Sequence, residues 1–298
     1  MKNNNLKGSL VLFLAALLWG TTFVVQRLAT AFVGAFTFIF FRSIIAVVLL
    51  FIISLITEKK IKVDDGMDKK KVIMYACLAG SSLFVASTLQ QIALEDISAS
   101  KAGFITSIYI IFVPIIALLF KHKVKGYIWI CVTIALIGSY LLSATSGLSF
   151  GFGEVLCLIG AVFFALQIIF VDKSCKFLNP YKYCMIQLAV VAAFALIMMI
   201  TIEKPSFENI KSAFIYILYA GVLSSCFAYS LQIVGQNYAE PTIASLVMSL
   251  ESVIALISGV LFLDEVMSDR EIIGSILIFA SVIASQIPFE KIIKKKII

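Results

Sequence analysis

The stretch VIMYACLAGSSLFVASTLQQIAL, Val72–Leu94, carries no charged residue from one end to the other. About 20 apolar residues in an α-helix cross the hydrocarbon core of a bilayer, which is about 30 Å thick. Val72–Leu94 is long enough and reads as a transmembrane helix. Val132–Gly153, Ser212–Ala239 and Ser252–Leu263 are equally free of charge. Across all 298 residues, 61% are hydrophobic and 14% charged, with a mean hydropathy of +1.07. A soluble domain carries roughly 25% charge and 45–50% apolar residues, so this chain lacks the charged shell that a soluble core would need. It is a polytopic membrane protein, whose first partner is the lipid bilayer.

Extending the same criterion divides the chain into ten segments near residues 8–28, 32–56, 72–94, 98–120, 127–144, 153–172, 180–202, 212–236, 241–263 and 271–288. No segment is left over for a soluble domain. The first could be mistaken for a signal peptide, but its apolar stretch is too long and Arg27 precedes the nominal Ala29-Thr30-Ala31 cleavage site. Of the 24 Lys and Arg residues, 18 lie on the side of the membrane that holds the N-terminus and 5 on the other, with Arg42 inside span 2. Positive loops stay inside, so both termini are expected in the cytoplasm. The net charge of +7 therefore reads as topogenic, with no nucleic-acid partner. The Ile, Lys, Asn and Phe bias resembles an AT-rich bacterial genome, which points to a bacterial inner (plasma) membrane.

A shift of 142 residues aligns spans 3–5 with spans 8–10. Leu89-Gln90 falls on Leu231-Gln232, Ala102 on Ala244, Ser107 on Ser249, Leu119-Phe120 on Leu261-Phe262, and Ser139 and Ser143 on Ser281 and Ser285. A shift of 145 matches Gly8 to Gly153 and Ala16 to Ala161. Two halves result, 1–146 and 147–298. Each holds five spans, an odd number, so they run in opposite directions through the membrane. The expected fold is an all-α membrane protein of ten transmembrane helices in two inverted five-helix repeats, a plan of secondary transporters with the binding site near mid-membrane.

Leu17-Leu18-Trp19-Gly20-Thr21-Thr22-Phe23 resembles the Trp-Gly signature that opens EamA-type members of the drug/metabolite transporter superfamily. Phe40-Phe41-Arg42 is similar to that family's aromatic-Arg element. Ser249-Leu250-Glu251, with Leu261-Phe262-Leu263-Asp264-Glu265-Val266 beyond it, resembles the end of its second repeat. The family often has Pro after the span-9 Glu, where this chain has Ser252, and Gly before the later Glu, where this chain has Asp264. The resemblance implies a carrier of small metabolites, amino acids or drugs, with a central cavity lined by spans 1, 3, 4, 6, 8 and 9.

Charge at mid-bilayer costs about 2.5–3.5 kcal/mol on insertion scales, so each such residue needs a reason. Glu251 is deep in span 9. It is either a proton-coupling or substrate-ammonium site, or a carboxyl that ties helices together. Arg42, comparably deep in span 2, either binds an anionic or carboxylate-bearing substrate or serves as a tether, with Glu251 as one partner. Trp19 and Tyr109 are mid-span aromatics, the latter in register with Glu251, and either wall the cavity or pack the bundle. Gln90 and Gln232 are repeat-mates near opposite ends of their helices, read as gates or as interhelical hydrogen-bonding groups. Pro114 cannot donate to the carbonyl of Ile110 and is expected to kink span 4; its repeat-mate is Leu256.

Other chemistries find little footing. The six cysteines have no CxxC spacing and read as small buried side chains. The single histidine, His122, lies in the Lys121-His122-Lys123 loop. No HExxH or Walker loop occurs, so no enzyme activity, metal site or cofactor is expected. The expectation is a secondary active transporter, an exporter or exchanger of small molecules driven by protons or by exchange. A passive channel is the first alternative and a membrane-embedded enzyme or sensor the second.

This topology makes a labelling prediction. In a background without native cysteines, cysteines at Lys70 and Lys294 should be shielded from an impermeant thiol reagent in whole cells, and one at Gly147 should label. Labelling at Lys294 without labelling at Gly147 would overturn the orientation.

Overall fold

A computed structural model describes residues 2–58, 61, 63–121, 124–143, 151–263 and 266–287. His122, the Asp264-Glu265 pair, the boundary expected at 146/147 and the C-terminal lysines lie outside the described residues. The chain forms α1 (Lys2–Ala29), α2 (Ala35–Thr57), α3 (Lys69–Ala93), α4 (Ala99–Ser107), α5 (Tyr109–Leu119), α6 (Gly126–Ser143), α7 (Phe152–Ser174) and α8 (Pro180–Met198). Beyond these lie α9 (Phe207–Tyr219), α10 (Tyr229–Gln236), α11 (Pro241–Met248), α12 (Leu250–Phe262) and α13 (Asp269–Ser285). No strand occurs among the described residues.

Eight segments are long and apolar enough to cross a membrane: Leu6–Ala29, Ala35–Thr57, Lys69–Ala93, Ala99–Leu119, Phe152–Phe177, Pro180–Glu203, Phe207–Gln236 and Pro241–Phe262. The expected spans 127–144 and 271–288 correspond to the shorter helices α6 and α13. Helix α13 is short because its start is polar. Ser268 and Glu271 form a reciprocal cap, which fixes Asp269, Arg270 and Glu271 in the first turn. The apolar run opens only at Ile272. Helices α6 and α13 pack on one another. A Cβ on Gly138 would lie 2.6 Å from the Gly274 carbonyl, so their backbones approach as closely as glycine permits.

Lipid is as apolar as leucine, so close backbone packing and interhelical hydrogen bonds hold a bundle together. Helix α3 runs along α7, α2 along α8, and α1 along α10 and α12. One face of α2 buries Phe38, Ser43, Ala46 and Leu50, while Val48, Phe51, Ile52, Leu55 and Ile56 on the other are exposed, the pattern of a lipid-facing side.

The α2–α8 pair is antiparallel and tied at both ends. At one end Lys182 pairs with Glu58, and the Asn179 amide donates to Thr57 Oγ1 at 3.2 Å. At the other, α8 continues through a π-helical turn, Met199–Glu203, that brings Glu203 over the start of α2. Its carboxylate accepts from the Phe36 N–H at 2.8 Å, the Thr37 N–H at 2.7 Å and the Thr37 hydroxyl at 2.6 Å. Glu203 thus supplies the cap that Gly34 cannot. A Cβ at Gly34 would meet Glu203 Oε1 at 2.4 Å, so the glycine is what admits the carboxylate.

Glu203→Ala should therefore strip two N–H groups of their acceptor and cost about 1–2 kcal/mol, with Glu203→Gln in between. Thermal unfolding of the detergent-solubilised protein measures this; a wild-type melting temperature for the alanine variant would show that the cap contributes nothing.

Candidate functional site

Two long segments are interrupted at nearly the same register, one residue apart under the 142 shift. Helices α4 and α5 are separated by Ile108 alone, and α11 and α12 by Ser249 alone. Ser107 Oγ donates to the Phe104 carbonyl and Ser249 Oγ to the Leu246 carbonyl, each at 2.7 Å, and Ser252 Oγ donates to the Ser249 carbonyl at 2.8 Å. A hydroxyl bonded to a carbonyl of the preceding turn competes with the helical ladder and bends it. Pro114 lies inside α5, six residues beyond the interruption. The α11–α12 segment breaks without a proline, so the paired serines are the feature common to both sites. The breaks leave Tyr109 at the start of α5 and Glu251 in the first turn of α12.

A third irregularity joins α9 to α10. Residues Ala220–Ala228 form a π-helix, whereas α3 is a regular α-helix throughout. The wider turns rotate α10 about the helix axis, and Tyr229 emerges edge-on against Trp19, with ring centroids 5.0 Å apart.

These elements line a partly open cavity of about 480 Å³. Helix α1 contributes Trp19, Phe23 and Gln26, α2 contributes Arg42, and α3 contributes Gln90. Thr106 and Tyr109 line it from the α4–α5 segment, and Phe164, Gln167 and Ile168 from α7. Ser224, Tyr229 and Gln232 come from the segment ending in α10, and Met248 and Glu251 from α11–α12. Trp19, Arg42, Gln90, Tyr109, Gln232 and Glu251 thus all border one space, while Pro114 does not.

The electrostatics of the cavity are unusual. Arg42 is 4% exposed and Glu251 5%, yet no ion pair joins them among the described residues. The Arg42 guanidinium rests 5.7 Å from the Phe38 ring centroid and against the Tyr229 hydroxyl. The Glu251 carboxyl faces Tyr109. Trp19 Nε1, Arg42 Nε and the Tyr109 hydroxyl have no hydrogen-bond partner that meets ordinary geometry. Buried polar groups are nearly always partnered, which makes the Trp19 Nε1 and Arg42 Nε donors candidate contacts for a ligand or water.

Two amide clusters lie at its ends. Gln26 donates to Gln91 Oε1 at 3.0 Å and to Gln90 Oε1 at 3.3 Å, and Gln90 donates to Thr106 Oγ1 at 2.9 Å. In the other, Gln167 donates to Gln187 Oε1 at 3.0 Å and Gln232 donates to Gln167 Oε1 at 3.0 Å. Gly235 abuts Leu12, near the start of α1, whereas Gln26 is near its end. Tyr229 meets Trp19 and Gly235 meets Leu12, so Gln232 lies between those levels of α1, roughly 10–20 Å along the axis from Gln26 at 1.5 Å per residue.

Gln26, Gln167, Gln187 and Tyr229 were not among the residues that sequence reasoning singled out. The glutamines carry a usable signal, being large amides inside apolar stretches. Tyr229 carries none, because tyrosine is common in its span and the π-helix shifts its phase.

The sequence matches the EamA-like transporter family twice, over residues 6–144 and again over 151–285. The chain belongs to the EamA-like transporter family. It is 31% identical to an uncharacterized transporter of Archaeoglobus fulgidus over 285 residues, covering 93% of this chain and 85% of that one. The uncharacterized transporter YoaV of Bacillus subtilis is 24% identical, with coverage of 92% and 95%. A protein crystal structure with 16% sequence identity superimposes with a TM-score of 0.77, covering 94% of this chain and 98% of that one, a likeness of fold. The protein is a multi-pass membrane transporter.

The geometry also explains this EamA-like transporter's Trp-Gly pair. A Cβ on Gly20 would fall 2.4 Å from Ile254 Cβ and 2.8 Å from the Glu251 carbonyl. Gly20 thus lets α12 lie against α1 and sets the depth of Glu251 beside Trp19. Gly20→Ala should force the two helices apart, lowering stability by about 1–3 kcal/mol. Gly126→Ala, where a Cβ meets open space, should leave the melting temperature unchanged. Equal melting temperatures for both variants would contradict this packing.

Proposed function

We propose that the protein is a secondary active transporter, an exporter or exchanger of small metabolites, amino acids or drugs, working by alternating access through the central cavity. The observation that carries this reading is the cavity itself: an unpaired buried arginine and an unpaired buried carboxylate border one space, supplied by helices from both matched segments.

Ten transmembrane helices in two inverted five-helix repeats, 1–146 and 147–298, complete the proposal, with both termini in the cytoplasm of a bacterial inner membrane. Several features support the symmetry. The family matches each half separately. Helices α4–α5 and α11–α12 break within one residue of positions related by the 142 shift. Helices α2 and α8, and α6 and α13, pack as pairs with one member from each half. An amide cluster sits at each end of the cavity. In this plan Trp19 and Tyr109 wall the cavity, and the clusters holding Gln90 and Gln232 are its two gates. Discontinuous helices at the binding site are a recurrent transporter device.

Glu251 is the proposed proton-coupling group. It is deep, it borders the cavity, and a carboxylate that carries a proton across must be reachable from each side in turn. Substrate is first identified by thermal-shift screening of amino acids, nucleosides, sugars and cationic drugs, since a ligand that binds the folded state stabilises it. In proteoliposomes Glu251→Gln should then lose accumulation driven by a pH gradient while retaining substrate exchange. Full gradient-driven uptake by the glutamine variant would exclude the coupling role; a silent glutamine variant together with a lowered melting temperature for Glu251→Leu would make Glu251 a structural tie.

A further inference from the structure

We infer that the substrate carries a carboxylate, which docks on Arg42 with the Trp19 indole N–H and the Tyr229 hydroxyl as further donors. This rests on the reading of the cavity as the substrate site and adds the chemical class of what occupies it.

The inference begins with the donors. A guanidinium and an indole can only donate, and neither Arg42 Nε nor Trp19 Nε1 has an acceptor among the described residues. Tyr229 stands between them, packed edge-on against Trp19 and against the guanidinium. A hydroxyl that accepts from Arg42 keeps its own proton to donate. This wall therefore has a surplus of donors, and the ligand that satisfies it is rich in acceptors. Arginine's planar fork matches a carboxylate bidentately.

Charge narrows the class. Among the described residues, Arg42 is the only cation lining the cavity and Glu251 the only acid. A phosphate dianion would face a single counter-charge and a nearby carboxylate, so a monoanionic group fits better. A purely cationic drug would meet the guanidinium with nothing to offer the orphaned donors. With Glu251 protonated, a simple carboxylate brings the cavity to neutrality; with Glu251 ionised, a zwitterion does. The two sources of the carboxylate thus differ in what they need from Glu251.

The test uses the purified full-length protein and four matched probes measured by calorimetry: L-leucine, L-leucinamide, 4-methylpentanoate and 3-methylbutylamine, with the other amino acids and short-chain acids as a wider panel. Carboxylates should bind, and the amide and amine should be weaker by roughly tenfold or more, the value of a charge-assisted hydrogen bond. Arg42→Gln should weaken carboxylate binding by at least as much. Trp19→Phe and Tyr229→Phe each remove one donor with little change of shape, and each should weaken it several-fold in a monodisperse protein, which keeps the test decisive where Arg42→Gln fails to fold. A tenfold preference for the amino acid that disappears in Glu251→Gln identifies a zwitterion; parity with 4-methylpentanoate identifies a simple acid. Equal binding of the amide, wild-type carboxylate affinity in Arg42→Gln, or no binding by any carboxylate overturns the proposal. Met248→Trp, which fills the cavity, separates it from the underlying reading. Binding of a non-carboxylate ligand that is lost in Met248→Trp and kept in Arg42→Gln overturns the carboxylate while the cavity stands. Carboxylate binding that survives Met248→Trp refutes the cavity as the site.

Discussion

A backbone amide in hydrocarbon has no water to turn to, and each unsatisfied group costs several kcal/mol. That constraint makes every crossing segment of this protein a helix and decides where a helix is allowed to fail. The interruptions at Ile108 and Ser249 and the π-helical run Ala220–Ala228 belong to segments that line the cavity. At the two interruptions, serine hydroxyls take up carbonyls of the preceding turn. Irregular backbone is tolerated in a membrane protein where it lines a cavity, and these three interruptions lie in segments that do. Each break also delivers a side chain: Tyr109, Tyr229 and Glu251 stand at or within two residues of an irregularity.

The same constraint acts on charge. Arg42 stays protonated in any protein environment, and burying it without a carboxylate is costly. Phe38 and Tyr229 offset part of that cost through the ring face and the hydroxyl. A direct Arg42–Glu251 pair would offset more, but it would fill the cavity's charge requirement from within and leave nothing for a ligand to supply. Holding Tyr229 beside the arginine and Tyr109 beside the acid keeps each charge accompanied without neutralising it.

The charge-free stretches made the helices legible: Val72–Leu94 matches α3 to within three residues at its start and one at its end. Arg42 and Glu251 were legible for a related reason, since an ionisable group in an apolar run has few structural excuses. Hydropathy was blind to the rest. It does not distinguish spans 127–144 and 271–288 from the longer ones, although α6 and α13 are shorter and the Ser268–Glu271 cap gives the first turn of α13 to polar residues. It cannot register a π-helix, which changes phase without changing composition, and so Tyr229 went unnoticed. Pro114 was the visible candidate for a bend in span 4, yet the interruption lies at Ile108, where the signal was the quieter match of Ser107 to Ser249.

The proposed symmetry separates two kinds of residue. What recurs in both halves is mechanical: the serine-linked breaks, and an amide cluster at each end of the cavity, Gln26–Gln90–Gln91 and Gln167–Gln187–Gln232. Neutral amides suit the proposed gates, because a hydrogen bond between glutamines can be exchanged for one to water at little net cost. What does not recur is chemical. Glu251 answers to Tyr109, and Tyr229 to Ser87, under the same shift. Arg42 comes from the first half and Glu251 from the second. Two equal halves can exchange roles only if their moving parts are alike, but a substrate with distinct ends is recognised only if the charges are not. Placing one charge on each half satisfies both demands, because in the proposed mechanism the arginine and the acid belong to parts that move relative to one another.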